Sequence, residues 1–167
     1  MTNATPPQFT AQVITVSTRC AAGETEDRSG PLAVSQMIDL GLTTNRALVI
    51  PDNRLKIAQS ILRYCDCEPV SLLIFTGGTG PTPDDLTPDA IVPLLDRRYL
   101  GIEEAIQTDG RNSNPKAPLS RIVAGARGRT VVIAVPGSPG GVKDALTTMR
   151  PFLQHLLTLT RGSQDPH

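Results

Sequence analysis

Four short runs of apolar and β-branched residues recur along the chain, at 11–17, 45–50, 70–76 and 130–135. Each is too short for a helix and ends on polar, glycine or proline residues, so each is expected to be a buried strand. Between them the apolar positions recur at three and four. Ser29-Gly30-Pro31 opens a helix with Ser29 as N-cap, Leu32, Met37 and Leu40 on its apolar face and Gly41 as C-cap. A second helix carries Leu55, Ala58, Ile61, Leu62 and Cys65. A third starts at Thr87-Pro88-Asp89, with Thr87 as N-cap and Pro88 at the first helical position; Ile91, Leu94 and Leu95 follow, and Pro93 should kink or shorten it. The last carries Val142, Leu146, Met149, Leu153 and Leu156, bent at Pro151. A short helix is expected at 101–106. The polar stretches 18–28 and 108–116 are expected to be a long loop and a mobile surface loop. Residues up to about 10, rich in Pro, Thr and Asn, suggest a disordered tail, and 161–167 a flexible end.

Strands alternating with helices imply right-handed crossovers and a mostly parallel sheet covered on both faces. The expected fold is α/β, a single three-layer α/β/α domain over residues 11–160. Its parallel strands should release their loops at one carboxyl edge, where open α/β sheets bind ligands. Four loops then converge: 18–28, Pro51-Asp52, 77–85 and 136–141.

Composition narrows the function. Sixteen basic and sixteen acidic residues cancel, and aromatic residues make up 3% of the chain, which argues against nucleic acid as a partner. No apolar run is long enough to span a bilayer, and the first residues lack the basic and apolar segments of a signal peptide, so a cytoplasmic protein without a membrane partner is expected. Cys65-Asp66-Cys67 is spaced too tightly for a chelating loop, and with Cys20 the cysteines are expected to be reduced and structural. His155 and His167 lie near the end of the chain, which makes histidine-based triad chemistry hard to assemble.

The chemistry concentrates at Thr76-Gly77-Gly78-Thr79-Gly80 and the acids that follow, Asp84 and Asp85. This is neither a Walker A loop nor the Gly-x-Gly-x-x-Gly fingerprint. A strand running into glycines near a helix start suits an anion, while carboxylates would repel a bare phosphate. A divalent cation resolves the conflict, because Mg²⁺ is commonly held by one or two carboxylates together with phosphate oxygens. Each piece also has a plainer reading. The glycines fit a tight turn, Asp52 a loop or cap aspartate, Asp85 an Asx turn, Ser138 an N-cap, and Ser120-Arg121 a solvated surface pair.

In order, the chain also carries Gly23-Glu-Thr-Glu-Asp27-Arg28-Ser29-Gly30-Pro31, Pro51-Asp52, Asp85-Leu-Thr-Pro-Asp89-Ala90, Leu119-Ser120-Arg121, Ala124-Gly125 and Pro136-Gly137-Ser138-Pro139. With the glycine loop, this combination resembles the molybdopterin adenylyltransferases and their relatives in molybdenum-cofactor biosynthesis, the MogA/MoaB type. The resemblance implies a molybdopterin-binding fold, usually a homotrimer, that transfers AMP from Mg²⁺-ATP to molybdopterin and releases pyrophosphate. It implies catalytic and Mg²⁺-holding roles for Asp52 and Asp85. It implies nucleotide and pterin-phosphate pockets formed by Gly77, Gly78, Thr79, Gly80, Ser120, Pro136, Gly137 and Ser138, and a partner that inserts the metal afterwards. Three departures from the pattern run toward fewer cations: Asp84, Gln107, and the Gly140-Gly141 pair. Two alternatives follow, a molybdopterin carrier or scaffold without transfer, and a metal-dependent nucleotide hydrolase.

Overall fold

The computed structural model describes residues 8–162. Its strands are β1 (Thr10–Val16), β2 (Thr43–Thr44), β3 (Leu48–Ile50), β4 (Leu72–Thr76), β5 (Arg97–Arg98), β6 (Val123–Arg127) and β7 (Thr130–Val135). Its helices are α1 (Thr18–Ala21), α2 (Ser29–Asp39), α3 (Arg54–Leu62), α4 (Thr87–Ile91), α5 (Leu100–Ser113), α6 (Pro139–Met149) and α7 (Leu153–Arg161). The sheet runs β2-β1-β4-β7-β6-β5, with β3 also on β1. The strands from β2 and β3 to β7 pair in parallel, and β6 and β5 add an antiparallel edge.

The central strands are buried on both faces, which is why they read as continuous apolar runs. Their side chains still alternate between two cores. Val13, Leu72, Ile74, Val131 and Ile133 pack with Met37, Leu146 and Met149 under α2, α5, α6 and α7. Ile14, Leu73, Phe75 and Val132 pack with Ile57, Ile61 and Ile91 under α3 and α4. This is the expected three-layer α/β/α arrangement. Cys65 lies in the second core, where burial pushes its thiol up to about 11, as suits a structural cysteine. No helix among the described residues is long and apolar enough to cross a membrane.

Several boundaries differ from the sequence expectation. Of the expected tail, residues 1–7 lie outside the described residues, whereas Phe9 is buried beneath the Arg161 guanidinium and Thr10 opens β1. Of the expected flexible end, residues 163–167 lie outside the described residues and Arg161 closes α7. The 18–28 loop contains α1, capped by the Ser17 hydroxyl. Ser29 is not the N-cap of α2: its hydroxyl donates to the Gly137 carbonyl at 2.6 Å, and Asp27 accepts the Gly30 N–H at 2.9 Å instead. Thr87 is likewise inside α4, with its hydroxyl donating to the Gly77 carbonyl at 2.9 Å. On α3 the buried positions are Ile57 and Ile61, while Leu55 and Leu62 are exposed.

The stretch 108–116, expected as a mobile loop, is helical as far as Ser113. Its polar side chains are used in contact with α6: the Thr148 hydroxyl donates to Asp109 at 2.8 Å, and Ser113 donates to Asp144. Pro151 separates α6 and α7 instead of bending one helix, and Pro93 ends α4 in a single 3₁₀ turn, as expected.

Candidate functional site

Strand register brings the loops together. Val16 pairs with Ile50, Thr15 with Thr76, and Thr76 with Val135, so β1, β3, β4 and β7 end level with one another. Cross-links then lock the loops. The Ser17 amide donates to the Ile50 carbonyl at 2.9 Å, the Asp52 amide donates to the Thr18 hydroxyl at 3.1 Å, and the Thr76 hydroxyl donates to the Pro136 carbonyl at 2.9 Å. The expected convergence of four loops is therefore present.

The glycines are required by close approach. Gly77 has φ +100° and its missing Cβ would sit 2.3 Å from the Val16 carbonyl oxygen. Gly78 has φ +60°, and a Cβ there would fall 2.3 Å from Asp52 Oδ1 and 2.4 Å from Thr87 Oγ1. No residue with a side chain fits either place without displacing the site. The Gly77 N–H is spent on the Val135 carbonyl at 3.1 Å, so Gly77 shapes the loop and has no amide to offer an anion. Among the described residues, the amides of Gly78, Thr79 and Gly80 take no part in strand, turn or cap bonds.

Asp52 follows β3 and lies half-buried beside Gly78. Its Oδ1 is buried and has no hydrogen-bond partner among the described residues. Burial, and next the negative charge of Asp85, push its carboxyl up to about 6, with the Leu86 amide pulling it partly back and Asp84 adding to the rise. The Leu86 amide compensates this carboxyl only in part, and the orphaned Oδ1 is the atom a cation would meet. No group of three or more His, Cys, Asp or Glu side chains is arranged to hold a metal among the described residues. Asp84 lines the same recess as Asp52, and Asp85 sits beside Gly80, where a Cβ would fall 2.6 Å from its Oδ2.

Asp85 does not make the Asx turn of the plain reading, which would bond an amide two residues on; its Oδ2 instead reaches back to Thr82, accepting from the amide at 3.0 Å and the hydroxyl at 2.5 Å. These bonds leave Oδ1 outside the turn. Ser138 likewise caps α6, accepting the Gly141 N–H at 3.1 Å, while lining a recess. Thr79 is buried, and its hydroxyl pairs with that of Ser120 at 2.7 Å. That pair fastens the glycine loop to the segment before β6.

Three recesses follow this edge. One of about 350 Å³ is lined by Ser17, Cys20, Asp27, Arg28, Gly78 and Gly137. A second, of about 460 Å³, shares Ser17 and adds Arg19, Asp52, Asp84 and Leu86. The third, of about 270 Å³, lies beyond the Pro136 turn and includes Gln107, Lys116, Ser120, Pro136, Ser138 and Asp144. The site residues thus fall into two groups, Asp52 with the glycines and Ser120 with Ser138, joined by the Pro136-Gly137-Ser138 turn.

Two further residues, without a role in the sequence reading, shape the site. Asp27 accepts the Thr15 hydroxyl at 2.7 Å as well as the Gly30 amide, and a Cβ at Gly30 would fall 2.3 Å from Asp27 Oδ2. Arg121, read as a solvated residue, binds the acidic loop through its whole guanidinium. The Asp27-Arg-Ser-Gly30 spelling was a signal for the first; the second had none beyond Ser120-Arg121 itself.

Comparison with known proteins agrees with this geometry. A family model described as a probable molybdopterin binding domain matches residues 12–155. The chain is 37% identical over 153 residues to a molybdenum cofactor biosynthesis bifunctional protein of Synechococcus elongatus, covering 92% of this chain and 48% of that one. The chain therefore spans about half the length of that relative. It is 32% identical over 137 residues to the molybdopterin adenylyltransferase of Escherichia coli, covering 80% of this chain and 70% of that one. The crystal structure of the molybdopterin biosynthesis enzyme MoaB from Thermus thermophilus superposes with a TM-score of 0.87 at 34% identity, over 93% of this chain and 98% of that chain.

Proposed function

Because the chain belongs to the probable molybdopterin binding domain family of molybdenum cofactor biosynthesis, we propose that it is a nucleotidyltransferase that moves AMP from Mg²⁺-ATP to molybdopterin, giving adenylylated molybdopterin and pyrophosphate. The observation that carries this reading is the buried, unpartnered Asp52 Oδ1 set against Gly78, in a carboxyl that the Asp85 charge helps to push up.

The reaction needs little from acid–base groups. The phosphate monoester of molybdopterin is already largely ionised at neutral pH, its second pKa being about 6. Its oxygen attacks the α-phosphorus of ATP, a new O–Pα bond forms, and the bond from Pα to the bridging oxygen breaks, with both electrons leaving on pyrophosphate. No histidine is required, which suits a site built of carboxylates and glycines. What the residues must do is align two anions and offset the charge on the leaving group. Asp52 and Asp85 would hold Mg²⁺, which when bound supplies that positive charge. The uncommitted Gly78, Thr79 and Gly80 amides are suited to phosphate oxygens. The recess at Ser120 and Ser138, capped by the N-terminus of α6, is suited to the pterin phosphate.

The test is pyrophosphate release that depends on molybdopterin. We further propose a homotrimer, the assembly that the family resemblance implies.

A further inference from the structure

We propose that Arg121 is a positioning residue for the transfer site: its guanidinium clamps the loop that carries Asp85 to the sheet, and this rests on the function proposed above. Nε donates to the Gly80 carbonyl at 3.0 Å, Nη2 to the Asp85 carbonyl at 2.5 Å, and Nη1 to Asp89 Oδ2 at 2.9 Å. The Arg121 amide adds a fourth bond, to the Thr79 carbonyl at 2.7 Å. One residue therefore touches the loop before its acids, at Asp85 and after them.

The loop needs such a clamp. Between Gly80 and Leu86 it belongs to no strand or helix. Its internal bonds join Thr82 to Asp85 and fix the turn without fixing where the turn sits. Ties to the rest of the fold come from the Leu86 amide at the Asp52 carboxyl, from Thr87, through the Gly77 and Gly78 carbonyls, and from Arg121, which alone among the described residues holds the segment before Leu86. The three acceptors of the Arg121 side chain belong to Gly80, Asp85 and Asp89, and two are carbonyls. A planar guanidinium meets all of them at once, whereas an ammonium group has a single donor centre. The ion pair with Asp89 is roughly two-fifths exposed on both sides, so its contribution to global stability is small. The value of Arg121 lies in the place it gives Asp85, where a displacement of about 1 Å can cost on the order of a hundredfold in rate.

The test compares Arg121→Ala and Arg121→Lys with wild type. In the free protein, amide hydrogen exchange at Thr82 and Asp85 is expected to quicken about tenfold or more in both variants, while the β4 and β7 amides keep their protection. In the assay, kcat falls by roughly ten- to a hundredfold with the molybdopterin KM unchanged, and Arg121→Lys, which keeps the charge but not the fork, resembles Arg121→Ala. Wild-type exchange at Thr82 and Asp85 would overturn the proposal, as would wild-type kcat in Arg121→Lys or a loss confined to KM. A wild-type protein that releases no pyrophosphate would refute the function and leave the exchange result to judge the clamp.

Discussion

Asp52 sits where folding and function make opposite demands. Its carboxyl, pushed up to about 6 first by burial and then by Asp85, stays neutral in the fold at pH values where the unfolded chain, at 3.8, has already ionised. The penalty is absent below pH 4, sets in between 4 and 6, and is complete above 6. Asp52→Asn should therefore stabilise the metal-free protein at pH 7, with no gain at pH 3.5. Discounted for the solvent that reaches this half-buried group, the gain is roughly 1 kcal/mol, or about 2–4 °C in Tm. Thermal melts at the two pH values check it; equal gains at both would contradict the origin given for the shift. The same substitution should abolish transfer. Asp52 and Asp85 were legible as candidates in the sequence because each follows a strand end. That one oxygen of Asp52 is buried without a partner was not legible, because it depends on Gly78 and Thr87 closing around it.

At the scale of elements, the glycine loop is the part least able to change. Gly78→Ala puts a methyl group against Asp52 and Thr87 at positive φ, and should cost about 2 kcal/mol or more. Gly101, near the start of α5, has nothing within 4 Å of its missing Cβ, so Gly101→Ala should be neutral or stabilising by up to about 1 kcal/mol. Denaturant titrations of the two variants provide the comparison. The long central strands and α2 and α6 were visible because their apolar periods are strong, whereas α3 was legible as a helix but not in the whole of its buried face, Ile57 and Ile61. β6, Val123-Ala-Gly-Ala-Arg127, was not: small residues suit a strand under close packing and leave little hydrophobic signal. A Cβ on Gly125 would meet the Arg97 carbonyl at 2.4 Å, so the pairing of β5 with β6 itself depends on that glycine. The two-residue strands β2 and β5 exist only through their partners, and the second half of α5 only through α6.

For the whole molecule, the alternation of strands and helices was enough to place four loops on one edge, because parallel strands leave a sheet in the same direction. Sequence did not show how the edge divides into recesses, which depends on Ser29 reaching the Gly137 carbonyl and on Thr79 meeting Ser120. The proposed homotrimer predicts a sedimentation mass three times the 17.8 kDa of the chain; a monomer at micromolar concentration would exclude it. Adenylyl transfer is read out by pyrophosphate release from Mg²⁺-ATP with and without molybdopterin, for the wild type and for Asp85→Ala. Release is expected only with molybdopterin, one pyrophosphate for each adenylylated molybdopterin, and none from a folded Asp85→Ala variant. Molybdopterin binding without pyrophosphate release would identify a carrier and contradict adenylyl transfer, and ATP breakdown without molybdopterin would identify a hydrolase and contradict it equally.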